Sequence, residues 1–267
     1  MSKDDLDRVM RAYETAWDVA ILPGVWPVVR LDGRAFHRLT AREDLAFQQP
    51  FDQRFREWML VTAQHLMVCG FRALYVHTHS DEISLLLHCD DKTFGRRTRK
   101  VLSVLAGEAS ARLSLLLGEV AVFDARISQL PTTELVVRYF HWRQVDAHRN
   151  ALHGHCYWAL RREGLSAAEA TARLLGASVA EQNELLVQRG INYNDLPAWH
   201  RRGVGIYWQT YTKAGRDPRT GETTQALRRR LFTDQNLPVG DAYATLLRRQ
   251  MGVADQYQPP LPVDPQR

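Results

Sequence analysis

The stretch ALYVHTHSDEISLLLH, residues 73–88, sets two carboxylates in the middle of an otherwise apolar and aromatic run. Ala73 to Val76 and Ile83 to Leu87 have the composition of two strands, so Asp81 and Glu82 fall at the turn of a β-hairpin. Upstream, Phe51, Phe55, Trp58, Met59 and Leu66 recur at helical spacing, and Gly70 closes that helix. Before it, VWPVVRLDGRAF (25–36) is a strand whose apolar core runs into a turn at Asp32-Gly33. Downstream, Val101, Leu102, Leu105, Ala109, Leu113 and Leu116 mark the buried face of a helix over 93–117, and EVAVFDARI (119–127) is a further strand. The order β-α-β-β-α-β predicts an α+β fold with a ferredoxin-like βαββαβ domain. In that topology the first strand neighbours the hairpin, which brings Asp32 to Asp81 at one sheet edge.

Helices dominate the second half. One is expected over 139–162, and two more open at the capping boxes Ser166/Glu169 and Ser178/Glu181. RGINYNDLP (189–197) then leads to a strand over 203–212 and a basic strand around ALRRRL (226–231), which together predict a small β-hairpin. The organisation expected is a catalytic domain over 1–135, a helical region over 136–250 packed on it, and a Pro-rich, disordered tail over 251–267.

The chain has 267 residues, 45% hydrophobic and 24% charged, which is ordinary for a soluble globular protein. It contains neither an 18-residue uncharged apolar run nor a signal-peptide core, so a cytoplasmic protein without membrane contact is expected. Cys69, Cys89 and Cys156 read as buried thiols. The formal net charge is +5, and only four of the 35 basic residues are lysine. Two clusters stand out, GRRTRK (95–100) and ALRRRL.

Two carboxylates converging beside a glycine suit oxygen-rich Mg²⁺ coordination, with the Gly33 carbonyl as a further ligand. Two such ions clamp the oxygens of an in-line phosphoryl transfer. The basic run 96–100 opens the helix after the hairpin, where cations and helix-terminal amides suit a triphosphate. This constellation is that of a palm-type nucleotidyltransferase. His77 and His79 read as a half-buried polar pair, Trp142 and Tyr157 as core, and Arg143–Asp146 as a helical ion pair.

VVRLDGRAFHR (28–38), SDEISLL (80–86), FDARI (123–127), WRQVDAHRNAL (142–152) and AEQNELLVQRGINYNDLP (180–197) together resemble the histidine-tRNA guanylyltransferase family and its 3′–5′ polymerase relatives. The resemblance implies a palm fold, two Mg²⁺ ions, tRNA and NTPs as partners, and a homotetramer. The implied reaction extends tRNA at its 5′ end: ATP or GTP activates the 5′-phosphate, and the 3′-hydroxyl of an NTP then attacks it. By position, Asp32, Gly33 and Asp81 match metal ligands, and Glu82 a neighbouring acid on which activity depends. Arg34, Ala35, Phe36, His37, Ser80, Arg97 and Lys100 match nucleotide- and triphosphate-contacting positions, and His148 and Asn150 match residues handling the tRNA end. The sequence departs from the family pattern at Gln49, Ala151 and Gln182, where lysine, asparagine and lysine are usual, and at Thr78 in place of glycine. Ala151 and Gln182 favour template-dependent repair of 5′-truncated tRNA over dedicated guanosine addition to histidine tRNA. A nucleotide cyclase and a catalytically silent tRNA-binding protein are the rival readings.

Overall fold

The computed structural model describes residues 3–216, 219 and 223–252, so the tail lies outside the described residues. Helix α1 (Lys3–Thr15) precedes β1 (Trp26–Gly33), the short α2 (Phe36–Thr40) and α3 (Gln53–Leu66). The hairpin β2 (Ala73–His79) and β3 (Glu82–Leu87) follows, then α4 (Thr98–Leu117) and β4 (Phe123–Leu130). Five helices come next: α5 (Thr133–Arg162), α6 (Ala167–Leu174), α7 (Val179–Val187) and α8 (Ala198–Arg202) before the strands β5 (Val204–Arg216) and β6 (Thr223–Asp234), and α9 (Gly240–Gln250) after them. The strands form one antiparallel sheet in the order β4-β1-β3-β2-β5-β6. β5 and β6 form the expected hairpin, longer than predicted, and β5 pairs with β2 so that the hairpin extends the main sheet. The fold is mixed α and β around this sheet.

Both faces of the sheet are covered. Val29, Leu31, Ile83, Leu85 and Val76 face one way and pack with Met59, Leu66, Leu105 and Leu113 of α3 and α4. Val28, Leu86, Tyr75 and Tyr207 face the other way, against Val136 and Phe140 of α5 and Leu247 of α9. Burial on both sides explains why the hairpin strands read as continuous apolar runs with no alternation. A third cluster joins the far half of α5 to α6 and α7 through Leu152, Cys156, Leu160, Leu174 and Leu186. Both expected capping boxes form, at Ser166/Glu169 and Ser178/Glu181.

Several elements depart from expectation. The helix expected from residue 93 starts at Thr98, because Phe94, Gly95 and Arg96 take positive φ. Arg96 holds that loop: its guanidinium donates to the carbonyls of Ile21, Leu22, Cys89 and Asp91. α5 begins six residues before 139, where the Thr132 hydroxyl accepts from the Leu135 amide. α9 carries no cue strong enough to have been read. Cys69 and Cys89 are only half-buried, and Trp142, read as core, is 52% exposed. No helix among the described residues is long and apolar enough to cross a membrane.

Candidate active site

The β2–β3 register pairs His79 with Glu82, leaving Ser80 and Asp81 as a two-residue turn, with Ser80 at φ 54°. β1 pairs with β3 so that Asp32 lies opposite Glu82, and the Gly33 amide donates to the Asp81 carbonyl at 3.1 Å. Asp32, Asp81 and Glu82 thus gather at one end of the sheet, as the sequence predicts. Gly33 is required there: a Cβ would stand 2.2 Å from the Phe36 ring. Ala35 turns the chain through a left-handed conformation into α2, leaving Arg34 and His37 exposed near the acids. The Phe36 ring is 3% exposed, edge-on to Phe55 and Phe123, and belongs to the core.

Burial pushes the Asp81 carboxyl up to about 6, and the neighbouring Asp32 and Glu82 charges add to the rise. Burial also raises Glu82, countered by the Arg143 and Arg30 guanidiniums. Three arginines serve this end. Arg30 pairs with Glu82 and stands 3.3 Å from Asp32, Arg126 is 3.5 Å from Asp32, and Arg143 is 3.5 Å from Glu82. Sequence reading singled out neither Arg30 nor Arg126, and it took Arg143 only as half of a helical ion pair. The available signal was register: Arg30 lies two residues before Asp32 on one strand face, and Arg126 pairs with Arg30.

Arg97 and Lys100 are not brought to the acids. β3 leaves the carboxylate end at Glu82 and delivers the chain to the opposite end, roughly 20 Å away at strand rise. There residues 18–22 bridge to 96–98, and Leu22 donates to Gln129, which sits opposite Pro27 at the start of β1. α4 then runs back, so its first turn is distal and its last turn is near the acids. At the distal end Asp18 contacts Arg99 at 2.6 Å and Arg97 at 3.9 Å.

His148 is half-buried and edge-on to Tyr193, whose hydroxyl donates to the His148 carbonyl at 2.9 Å. Asn150 is exposed, 3.5 Å from Asp146. The Arg143–Asp146 pair forms as read. His77 and His79 each accept no metal role: their Nε2 atoms donate to the carbonyls of Arg202 and His200, both at 2.8 Å. Gly203 permits this approach, since a Cβ would lie 2.6 Å from His77 Nε2. A cleft lined by Thr40, Gln49, Phe51, Asp52, Ser80 and Trp199 opens beside the hairpin turn.

The family model described as tRNAHis guanylyltransferase matches residues 7–131, and the model of the Thg1 C-terminal domain matches 134–239. A "Probable tRNA(His) guanylyltransferase" of Drosophila melanogaster is 35% identical over 197 residues, covering 70% of this chain and 68% of the relative. The tRNA(His) guanylyltransferase of Debaryomyces hansenii is 33% identical over 211 residues, covering 74% and 79%. Among solved structures, a bacterial tRNA(His) guanylyltransferase-like protein in complex with ATP superposes with a TM-score of 0.70 at 27% identity, covering 92% of this chain and 99% of that one. The same description in complex with GTP gives 0.68 at 27% identity, with the same coverage. The order of motifs and the gathered carboxylates thus have one common source: this chain belongs to the tRNAHis guanylyltransferase family.

Proposed function

We propose that this protein is a nucleotidyltransferase that adds nucleotides to the 5′ end of tRNA in the 3′–5′ direction. The observation that carries the reading is the meeting of Asp32, Asp81 and Glu82 at one sheet end, ringed by Arg30, Arg126 and Arg143. The kinship with ATP- and GTP-complexed relatives supports nucleotides as substrates. In the same reading, β1–β4 with α3 and α4 form a ferredoxin-like palm over 1–135, and 136–250 forms the tRNA-handling region. The enzyme works in the cytoplasm as a homotetramer.

The donors fit magnesium: two hard carboxylates, one raised to about 6 by burial and its acidic neighbours, stand beside the Gly33 backbone. Bound Mg²⁺ supplies charge neutralisation for the phosphates and for the developing oxyanions. Asp32, Asp81 and the Gly33 carbonyl are the residues to hold it. In the activation step, an oxygen of the tRNA 5′-monophosphate attacks the α-phosphorus of ATP or GTP, and pyrophosphate leaves. The 3′-hydroxyl of the incoming NTP then attacks the tRNA 5′-phosphorus, and the activating nucleotide leaves as its monophosphate. Arg30 and Arg126, beside Asp32, orient phosphate oxygens by charge-assisted hydrogen bonds. Ser80, at the hairpin turn, presents its hydroxyl to the triphosphate, and Arg34, Ala35 and His37 border the nucleotide. His148 and Asn150 hold the tRNA end. Arg97 and Lys100, distal in their own chain, reach a triphosphate from a second copy, which the tetramer provides.

The assay uses 5′-truncated, monophosphorylated tRNAs with each base in turn opposite the gap, together with all four NTPs and Mg²⁺. Incorporation that tracks the opposing base is expected, because Ala151 and Gln182 leave selection to base pairing. Guanosine added regardless of that base identifies a dedicated guanylyltransferase. Pyrophosphate released from NTP without RNA identifies a cyclase.

A further inference from the structure

Arg143 is 3% exposed, and its fork is divided between two acids on different elements. Nη2 pairs with Asp146 one helical turn along α5, while Nη1 points across to β3, 3.5 Å from Glu82 Oε2. Nη1 makes no hydrogen bond among the described residues, so its interaction with Glu82 is one of charge and position. The guanidinium also lies over the Trp142 ring at 4.2 Å, which closes its solvent side. From Asp146 the chain of contacts continues to Arg149 at 2.7 Å and to Asn150 at 3.5 Å. From Glu82 it continues through Arg30 to Asp32. One buried side chain thus connects the carboxylate end of the sheet to the segment of α5 that carries His148 and Asn150.

We infer that Arg143 is a positioning residue: held on α5 by Asp146, it fixes Glu82 on the α5 side of the hairpin. With Glu82 drawn toward two guanidiniums, Asp32 and Asp81 are the carboxylates left to face the reacting phosphates. A planar fork with five donors suits this divided task, and lysine, a single point charge, cannot span both acids. The inference rests on the nucleotidyl-transfer reading, and wild-type protein without nucleotide addition sinks that reading alone.

The test is a single-turnover double-mutant cycle with Arg143→Met, Glu82→Gln and the pair, on 5′-triphosphorylated tRNA. Arg143→Met is expected to slow addition about a hundredfold, the scale of a misplaced reacting group, with the KM for NTP within about threefold of wild type. Arg143→Lys recovers part of the loss. In the Glu82→Gln background Arg143→Met adds no further loss, because the group it positions is gone. An equal loss in that background overturns the inference. So does a raised NTP KM at unchanged kcat, which assigns Arg143 to direct phosphate contact. If Arg143→Met does not fold, the same cycle is run with Arg143→Lys, judged by the same coupling.

Discussion

The two ends of the sheet carry opposite chemistry although Glu82 at one and Arg97 at the other are only fifteen residues apart along the chain. At the Glu82 end three acids crowd together and Arg30, Arg126 and Arg143 answer them. At the Leu87 end the cations Arg97 and Arg99 crowd one acid, Asp18, and Arg96 is consumed by backbone carbonyls. Neighbourhood in sequence therefore says little about neighbourhood at a site when a strand lies between. A strand carries the chain from one end of the molecule to the other, and only the return path of the next helix decides which of its ends comes home.

The largest effect belongs to the acid end. Asp32→Ala or Asp81→Ala is expected to reduce nucleotide addition by at least about a thousandfold, since in the proposed reading each removes a ligand to the metal whose charge stabilisation is worth several kcal/mol. Retained folding is checked by circular dichroism, and a folded variant with near-wild-type turnover removes the two-metal assignment.

The basic end gives a smaller effect and a sharper distinction. Arg97→Ala/Lys100→Ala is expected to raise the NTP requirement by about ten- to a hundredfold, the range for lost charge-assisted contacts. Mixed with Asp81→Ala subunits and allowed to reassemble, it should recover activity that neither parent shows. Absence of recovery in demonstrated mixed oligomers breaks the picture of one copy's basic end serving another copy's acid end.

A third test concerns the buried histidines beside the hairpin, where His79 donates to the His200 carbonyl and the His200 ring stacks on His155 of α5. Burial pushes His77, His79, His155 and His200 down to about 4 from the ordinary 6.5. Between those values the unfolded chain binds protons that the folded chain refuses, so stability falls as pH drops from 6.5 toward 4 and is fully present above 6.5. Tm measured at pH 7.5 and 5.0 should show the loss, and His77→Gln should flatten it. The smallest effect belongs to a helix that carries none of the site residues. Ser166→Ala removes the α6 cap and should cost about 1 kcal/mol of stability, read from denaturant midpoints, with turnover unchanged.

Much of the acid end was legible because strands announce themselves in short range. The apolar runs around Asp81 and Glu82 and the Asp32-Gly33 turn fix β1, β2 and β3, and βαββαβ order does the rest. What was not legible depends on contacts between distant elements. Arg96 reads as one more cation in GRRTRK until it is seen bonded to four carbonyls, which is also why α4 starts late. Arg143 reads as half of a local i, i+3 pair, because helical periodicity names a face and not what lies across from it. Phe36 lies inside the strongest motif and yet belongs to the core, since motif membership does not distinguish ring from backbone. Trp142 reads as core from its size, whereas its ring stands at the surface and covers the buried Arg143 guanidinium.

The two histidine–carbonyl bonds beside the hairpin also order events in time. His77 and His79 find their acceptors 125 and 121 residues further along the chain. At about 5–20 residues per second of synthesis, those acceptors emerge on the order of ten seconds after the donors. Until then the Nε2–H groups have water as a partner and β2 has an open edge where β5 will pair. The carboxylates and the arginines that answer them thus leave the ribosome well before the strand edge beside them is closed. A chain released before residue 200 carries every acid of the site but leaves His77 and His79 without their acceptors and β2 without β5.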